Sequence, residues 1–158
     1  MNRYLVVATE DELQLPWAKT ECNRIPIITG VGGTNVIRAL RNLKRDSDIL
    51  NVGFCGSYTY PIGTVTWPQQ CRLWHPNVSF QEETFKLNSS SGVICLTAGD
   101  FVTDPEGLPP FSVVDMELAY ILAFGFRVVS SVKYVSDNLN YKDYESSIES
   151  CKASQVFK

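Results

Sequence analysis

The sequence predicts an α/β sandwich of three layers around a mostly parallel or mixed sheet. Short apolar, β-branched runs alternate along the chain with segments of helical periodicity. No internal repeat or linker interrupts that alternation, so the 158 residues read as a single domain spanning 1–158. Polar, Gly-rich or acidic residues follow the apolar runs at five places, 9–12, 29–34, 55–57, 98–102 and 136–138. In open α/β sheets, such strand ends are where ligands bind.

The elements follow in order. Residues 4–8 are apolar and β-branched, a short buried strand. Residues 10–15 start a helix or helical turn that Pro16 limits. Residues 25–29 form a second strand with Pro26 near its start. The turn Gly30-Val31-Gly32-Gly33 leads into helical periodicity over 36–43. As a dinucleotide fingerprint this turn is incomplete, because it lacks the full G-x-G-x-x-G spacing and an acid about 20 residues on. It reads either as a tight strand-to-helix turn or as a backbone cradle for a sugar or anion. Residues 49–54 form a third strand and 63–67 a strand-like piece. The stretch 68–88 has no assignable pattern, and Ser89-Ser90-Ser91-Gly92 is a turn. Residues 93–97 form another buried strand, 104–110 a Pro/Gly loop and 116–124 a helix. A long β-branched run over 127–135 ends at Ser136-Asp137, and 141–156 is a terminal amphipathic helix.

Composition narrows the function. A net charge of −3 with no Lys/Arg stripe argues against nucleic acid as a partner. Arg38, Arg41, Lys44 and Arg45 fall on the outer, solvated face of one helix. Five scattered cysteines without a C-x-x-C pair fit a reduced, cytoplasmic protein, with Cys55 and Cys95 as buried thiols. A lone histidine, His75, gives little support to a metal site. No apolar run reaches the length of a membrane span or a signal peptide.

The acids are the informative residues. Glu10, Asp11 and Glu12 follow the first strand, where they suit a helix N-terminus. Asp137 ends a very apolar strand, where it serves as a cap or as a functional acid; Asn138 and Asn140 are alternative caps. Asp115 and Glu117 interrupt an apolar stretch (Val113-Val114-Asp115-Met116-Glu117-Leu118), so each needs a partner or a cleft.

These pieces resemble, in order, the purine nucleoside phosphorylase superfamily, and within it the methylthioadenosine/S-adenosylhomocysteine nucleosidases. Val7-Ala8-Thr9-Glu10-Asp11-Glu12 resembles their opening strand and acidic run. Thr29-Gly30-Val31-Gly32 is similar to their Ser-Gly-Ile-Gly turn, and Asn51-Val52-Gly53-Phe54-Cys55-Gly56 to their Asn-x-Gly-x-Ala-Gly. Ile62-Gly63-Thr64-Val65 resembles their Val-Gly-Asp-Ile, and Ala98-Gly99-Asp100-Phe101-Val102 their Ser-Gly-Asp-x-Phe-Ile. Val114-Asp115-Met116-Glu117 resembles Val-Glu-Met-Glu, and Val135-Ser136-Asp137 resembles Ile-Ser-Asp.

The resemblance implies a nucleoside phosphorylase-like fold and a cofactor-free enzyme that releases a purine base from a small nucleoside, acting as a homodimer or higher homo-oligomer. It implies that Glu12 activates water and that Asp137 engages the purine at N7. It places Glu117 on the ribose 2′-hydroxyl and Met116 on the sugar face. Phe101 and Val102 hold the base, and Thr29 and Gly30 belong to the substrate turn. Three carboxylates after the first strand favour water over phosphate as the acceptor.

Overall fold

The computed structural model describes residues 2–21, 23–75 and 84–156. Its centre is a mixed sheet. Strands β1 (Arg3–Val7), β2 (Ile25–Ile28), β3 (Asp48–Gly56) and β9 (Arg127–Asp137) run parallel in the order β2-β1-β3-β9. A second parallel set consists of β5 (Gln70–Leu73), β7 (Ile94–Thr97) and β8 (Ser112–Asp115). The sets join where the end of β3 meets the end of β8 antiparallel, at Gly56 and Val114. The carboxyl ends of both sets therefore converge on one region. Two short strands, β4 (Val65–Thr66) on β9 and β6 (Phe85–Lys86) on β5, pair antiparallel at the margins.

Period-two alternation builds the outer layers. Leu5, Val7, Leu50, Val52 and Phe54 face one side of the sheet. That side is covered by a 3-10 turn (Glu10–Gln14), by α1 (Pro16–Lys19) and by α4 (Tyr141–Val156). Val6 and Ile49 face the other side, covered by α2 (Gly33–Leu40) and α3 (Leu118–Ala123). No helix among the described residues is long and apolar enough to cross a membrane.

Several boundaries differ from the sequence expectation. Pro16 does not simply limit a helix; it sits at the first position of α1, where its missing N–H costs nothing. Helix α2 covers Gly33–Leu40 rather than 36–43, because it starts directly from the glycine turn. The segment expected as helix from 116 begins two residues later, and before it lies β8, a four-residue strand too short to show a period. Within 68–88, β5 and β6 take up the two ends, and 76–83 lie outside the described residues. Cys55, Cys71 and Cys95 are buried free thiols, whereas Cys22 lies outside the described residues. Asn140 takes the cap of α4 by accepting from the Lys142 N–H at 2.8 Å. Asn138 instead donates to the carbonyls of Ser57 and Tyr60, tying the loop after β3 to the end of β9.

Candidate active site

The site lies at the convergence of strand ends. A cavity of about 330 Å³ opens there, lined by Glu12, Asp115, Met116, Glu117, Asp137 and Phe101 among others. Its size falls at the lower end of the range for small-molecule pockets.

Glu12 is almost fully buried and its carboxylate is fixed by three backbone donors. The Ala8 and Thr9 N–H groups donate to Oε1 at 2.6 and 3.2 Å, and the Phe54 N–H donates to Oε2 at 2.7 Å. Burial pushes its pKa up, against the pull of the Lys133 ammonium and those three donors. Gly53 lets this happen: a Cβ there would stand 2.7 Å from Glu12 Oε2 and 3.2 Å from Lys133 Nζ.

Asp137 ends β9 and is 2% exposed. The Ser136 hydroxyl donates to Oδ2 at 2.9 Å and the Leu139 N–H to Oδ1 at 3.0 Å. Burial again raises its pKa, the hydrogen bonds opposing. Gly56 clears its path, since a Cβ there would approach Asp137 Oδ1 to 2.7 Å. The Asn-Val-Gly-Phe-Cys-Gly strand end thus carries two glycines for the same reason, each admitting one carboxylate. Asp137 does not cap α4; Leu139, its partner, takes a left-handed backbone (φ 66°), an uncommon conformation for a leucine.

Glu117 is buried, and desolvation with the Asp115 charge, helped by Glu12, pushes its pKa up to about 8. Its Oε2 accepts from the Gly32 N–H at 2.9 Å. Of the two readings of the glycine turn, a tight turn or a cradle for a sugar or anion, the Gly32 N–H is taken by the protein's own carboxyl group. Asp115 differs. Its Oδ2 pairs with Lys133 Nζ at 2.9 Å and accepts from the Leu118 N–H at 2.9 Å; Thr97 donates to Oδ1 at 2.6 Å. Burial works against its charge, but Lys133 and these bonds win and hold its pKa below the ordinary value.

Phe101 and Met116 line the cavity, and Val102 lines a recess of about 30 Å³ beside it. Thr29 and Gly30 are not among the lining residues. The Thr29 hydroxyl bonds the Gly30 carbonyl at 2.7 Å and Gly30 makes the turn at φ 89°, so Val31 is the residue this turn presents to the cavity. His75 is exposed at the edge of the undescribed 76–83.

Sequence reasoning missed Lys133 and the aromatic wall of Phe54, Tyr141 and Tyr144. Lys133 is 1% exposed in the middle of β9, and its pKa is raised by the surrounding acids despite burial. A lysine inside the longest β-branched run of the chain was the available signal, because a cation buried there requires an anion. The ring of Phe101 meets Tyr141 and Tyr144 at centroid distances of 5.4 and 6.0 Å. Nothing in the local sequence connects that loop to α4.

No family model matches the chain, and no curated protein sequence matches it. Solved structures do. The 5′-methylthioadenosine/S-adenosylhomocysteine nucleosidase of Neisseria meningitidis, in complex with methylthio-immucillin-A, superposes with a TM-score of 0.71 at 16% identity, covering 96% of this chain and 94% of that one. The chain has the nucleoside phosphorylase-like fold. The S-adenosylhomocysteine nucleosidase of Streptococcus pyogenes shares it with a TM-score of 0.69 at 15% identity, over 99% of this chain and 94% of that one. So does the futalosine hydrolase of Helicobacter pylori, at 0.70 and 13%, over 96% and 92%. In this nucleoside phosphorylase-like fold the tail-to-tail meeting of β3 and β8 brings Asp115, Glu117 and Asp137 to one cavity.

Proposed function

We propose that the protein is a nucleosidase that hydrolyses the N-glycosidic bond of a purine nucleoside, with adenine as the base. The observation that carries this reading is the convergence of Glu12, Glu117 and Asp137 on one cavity, each in a different electrostatic setting.

Breaking the bond between C1′ and the base nitrogen leaves positive charge on the sugar and sends the electron pair to the base. Asp137, whose carboxyl burial keeps protonated to higher pH than usual, gives its proton to a base nitrogen as the bond breaks. Glu12, fixed by three N–H groups, takes a proton from the water that attacks C1′. Its raised pKa makes it a stronger base than an exposed glutamate. Glu117 holds a ribose hydroxyl, and Met116 covers the sugar. Phe101 and Val102 flank the base. The products are the free base and a sugar bearing a C1′ hydroxyl.

Water rather than phosphate as acceptor is supported by the charge of the walls. Among the described residues that line the cavity there is no Arg, Lys or His, and Lys133 beside it is already paired with Asp115.

The test is incubation with a nucleoside panel, with and without phosphate, followed by separation of base, sugar and sugar phosphate. Free base with free sugar is expected. Sugar 1-phosphate that appears only with phosphate would overturn the hydrolase reading. Glu12→Gln is expected to stop hydrolysis while nucleoside affinity, read by calorimetry, stays within a few-fold. A large loss of affinity would assign Glu12 to binding.

A further inference from the structure

The four carboxyl groups that line the cavity are unequally provided with donors. Three backbone N–H groups hold Glu12. Lys133, the Thr97 hydroxyl and the Leu118 N–H hold Asp115. Asp137 has the Ser136 hydroxyl and the Leu139 N–H. Glu117 has the Gly32 N–H on Oε2. It stands at the N-cap of α3, yet its side chain makes no capping bond. Among the described residues, none bonds its other oxygen, Oε1. The residue is 7% exposed, and its side chain lines the cavity.

The charges around Glu117 point the same way. Asp115 faces it from its own segment and Glu12 from the 3-10 turn, and both disfavour a further negative charge. Lys133 of β9 favours one, but its ammonium is paired with Asp115 at 2.9 Å. Tyr144 of α4 shares the cavity and is neutral, its phenol pushed up to about 12 by burial and by the acids. A buried carboxyl with one donor and two acids for neighbours keeps its proton rather than ionise. A neutral carboxyl accepts through its carbonyl oxygen and donates through its hydroxyl. Oε2 accepts from Gly32, so the proton belongs on Oε1. A buried acid kept neutral in this way is a hydrogen-bond donor, and leaving that donor without an acceptor is costly.

We propose that Glu117 works as a neutral acid and holds the sugar by donating its O–H to a sugar oxygen, not by accepting from a sugar hydroxyl as a carboxylate. The substrate class that follows is an uncharged nucleoside whose sugar brings an acceptor oxygen to this edge of the cavity. This rests on the nucleosidase reading above, which places a ribose hydroxyl at Glu117.

Infrared difference spectra of the ligand-free protein at about pH 6.5 read the proton directly. The wild type is expected to show a carboxylic-acid C=O band that Glu117→Gln lacks, and that fades as pH rises through about 8. A carboxylate band in its place overturns the proposal. Calorimetric binding of adenosine, in two buffers of different ionisation enthalpy, counts the protons exchanged. Wild type and Glu117→Gln are expected to exchange the same number. A proton released by the wild type alone shows that Glu117 ionises to bind, and overturns the proposal, as does absence of adenosine binding. A glutamine keeps a carbonyl for Gly32 and an NH₂ for the sugar. Per folded molecule, kcat/KM for adenosine therefore falls by less than about tenfold in Glu117→Gln and by about a hundredfold in Glu117→Ala. Equal losses overturn the donor role. Adenosine binding without base release from any nucleoside sinks the nucleosidase reading, and the infrared and calorimetric results then still decide whether Glu117 donates.

Discussion

Among the described residues, two buried ion pairs stand in different parts of the sheet. At the amino ends of β1, β2 and β3, Arg24 Nη1 meets Asp48 Oδ1 at 2.7 Å and also donates to the Tyr4 carbonyl at 3.2 Å, while its Nε meets Glu21 at 3.2 Å. Toward the carboxyl ends, Lys133 meets Asp115 at 2.9 Å. In the first pair protein acceptors meet Nε and Nη1 of the guanidinium, and the Asp48 side chain still reaches solvent at 13%. The second is overloaded. One ammonium, at 1% exposure, faces Asp115, Glu12 and Glu117, two of which carry raised pKa values. The two differ in exposure: the Glu21 and Asp48 side chains that meet Arg24 keep 35% and 13% of their surface in solvent, whereas the acids around Lys133 are buried.

The largest effect that tests this contrast is at Asp137. Asp137→Asn is expected to lower turnover by about 10²–10⁴-fold with the melting temperature close to wild type. Near-normal base release would remove Asp137 from the mechanism. Next, Lys133→Met leaves Asp115 charged, buried and unpaired, and is expected to cost about 3–5 kcal/mol in urea unfolding. It also lowers activity per folded molecule, because Glu12 loses its neighbouring cation. Arg24→Met breaks the other pair but leaves an aspartate that can hydrate, so roughly 2 kcal/mol is expected. Its activity per folded molecule should be that of the wild type; a drop there would dissolve the distinction between the two pairs.

The smallest effect is a pH slope. The Glu117 pKa is raised from 4.5 to about 8, so between those values the folded protein holds a proton that the unfolded chain has released. Stability therefore falls as pH rises through that window. Going from about pH 5 to about pH 6.5, the wild type should lose on the order of 1–2 kcal/mol relative to Glu117→Gln. Parallel stability curves for the two proteins would show that Glu117 titrates normally.

Much of this arrangement was legible in the sequence where the signal was local. The strands at 4–8, 25–29, 49–54 and 127–135 and the helix at 141–156 announce themselves by composition and period, and each lies within about two residues of its observed bounds. Asp115 and Glu117 stood out because acids in an apolar run need partners. The fold of the nucleosidases followed from the order of short motifs. The misses are non-local. β8 is four residues long, and β5 and β6 lie in a polar stretch whose pairing partners are distant in the chain. Thr29 and Gly30 look like cavity residues until the turn is folded, when Thr29 bonds backbone and Val31 faces the space.

By itself the sequence determined which residues carry charge into apolar surroundings and which strand ends are polar, because burial and period are written locally. Only the tertiary structure decided how those charges are shared. β8 runs antiparallel to β3, and that meeting sets Lys133 against Asp115 rather than leaving it to Glu12 or Glu117. Gly53 and Gly56 give the carboxylates their room, and the glycine turn spends its N–H on Glu117. Each of these is a contact between groups far apart in the chain, at distances where an ångström decides which acid keeps its proton.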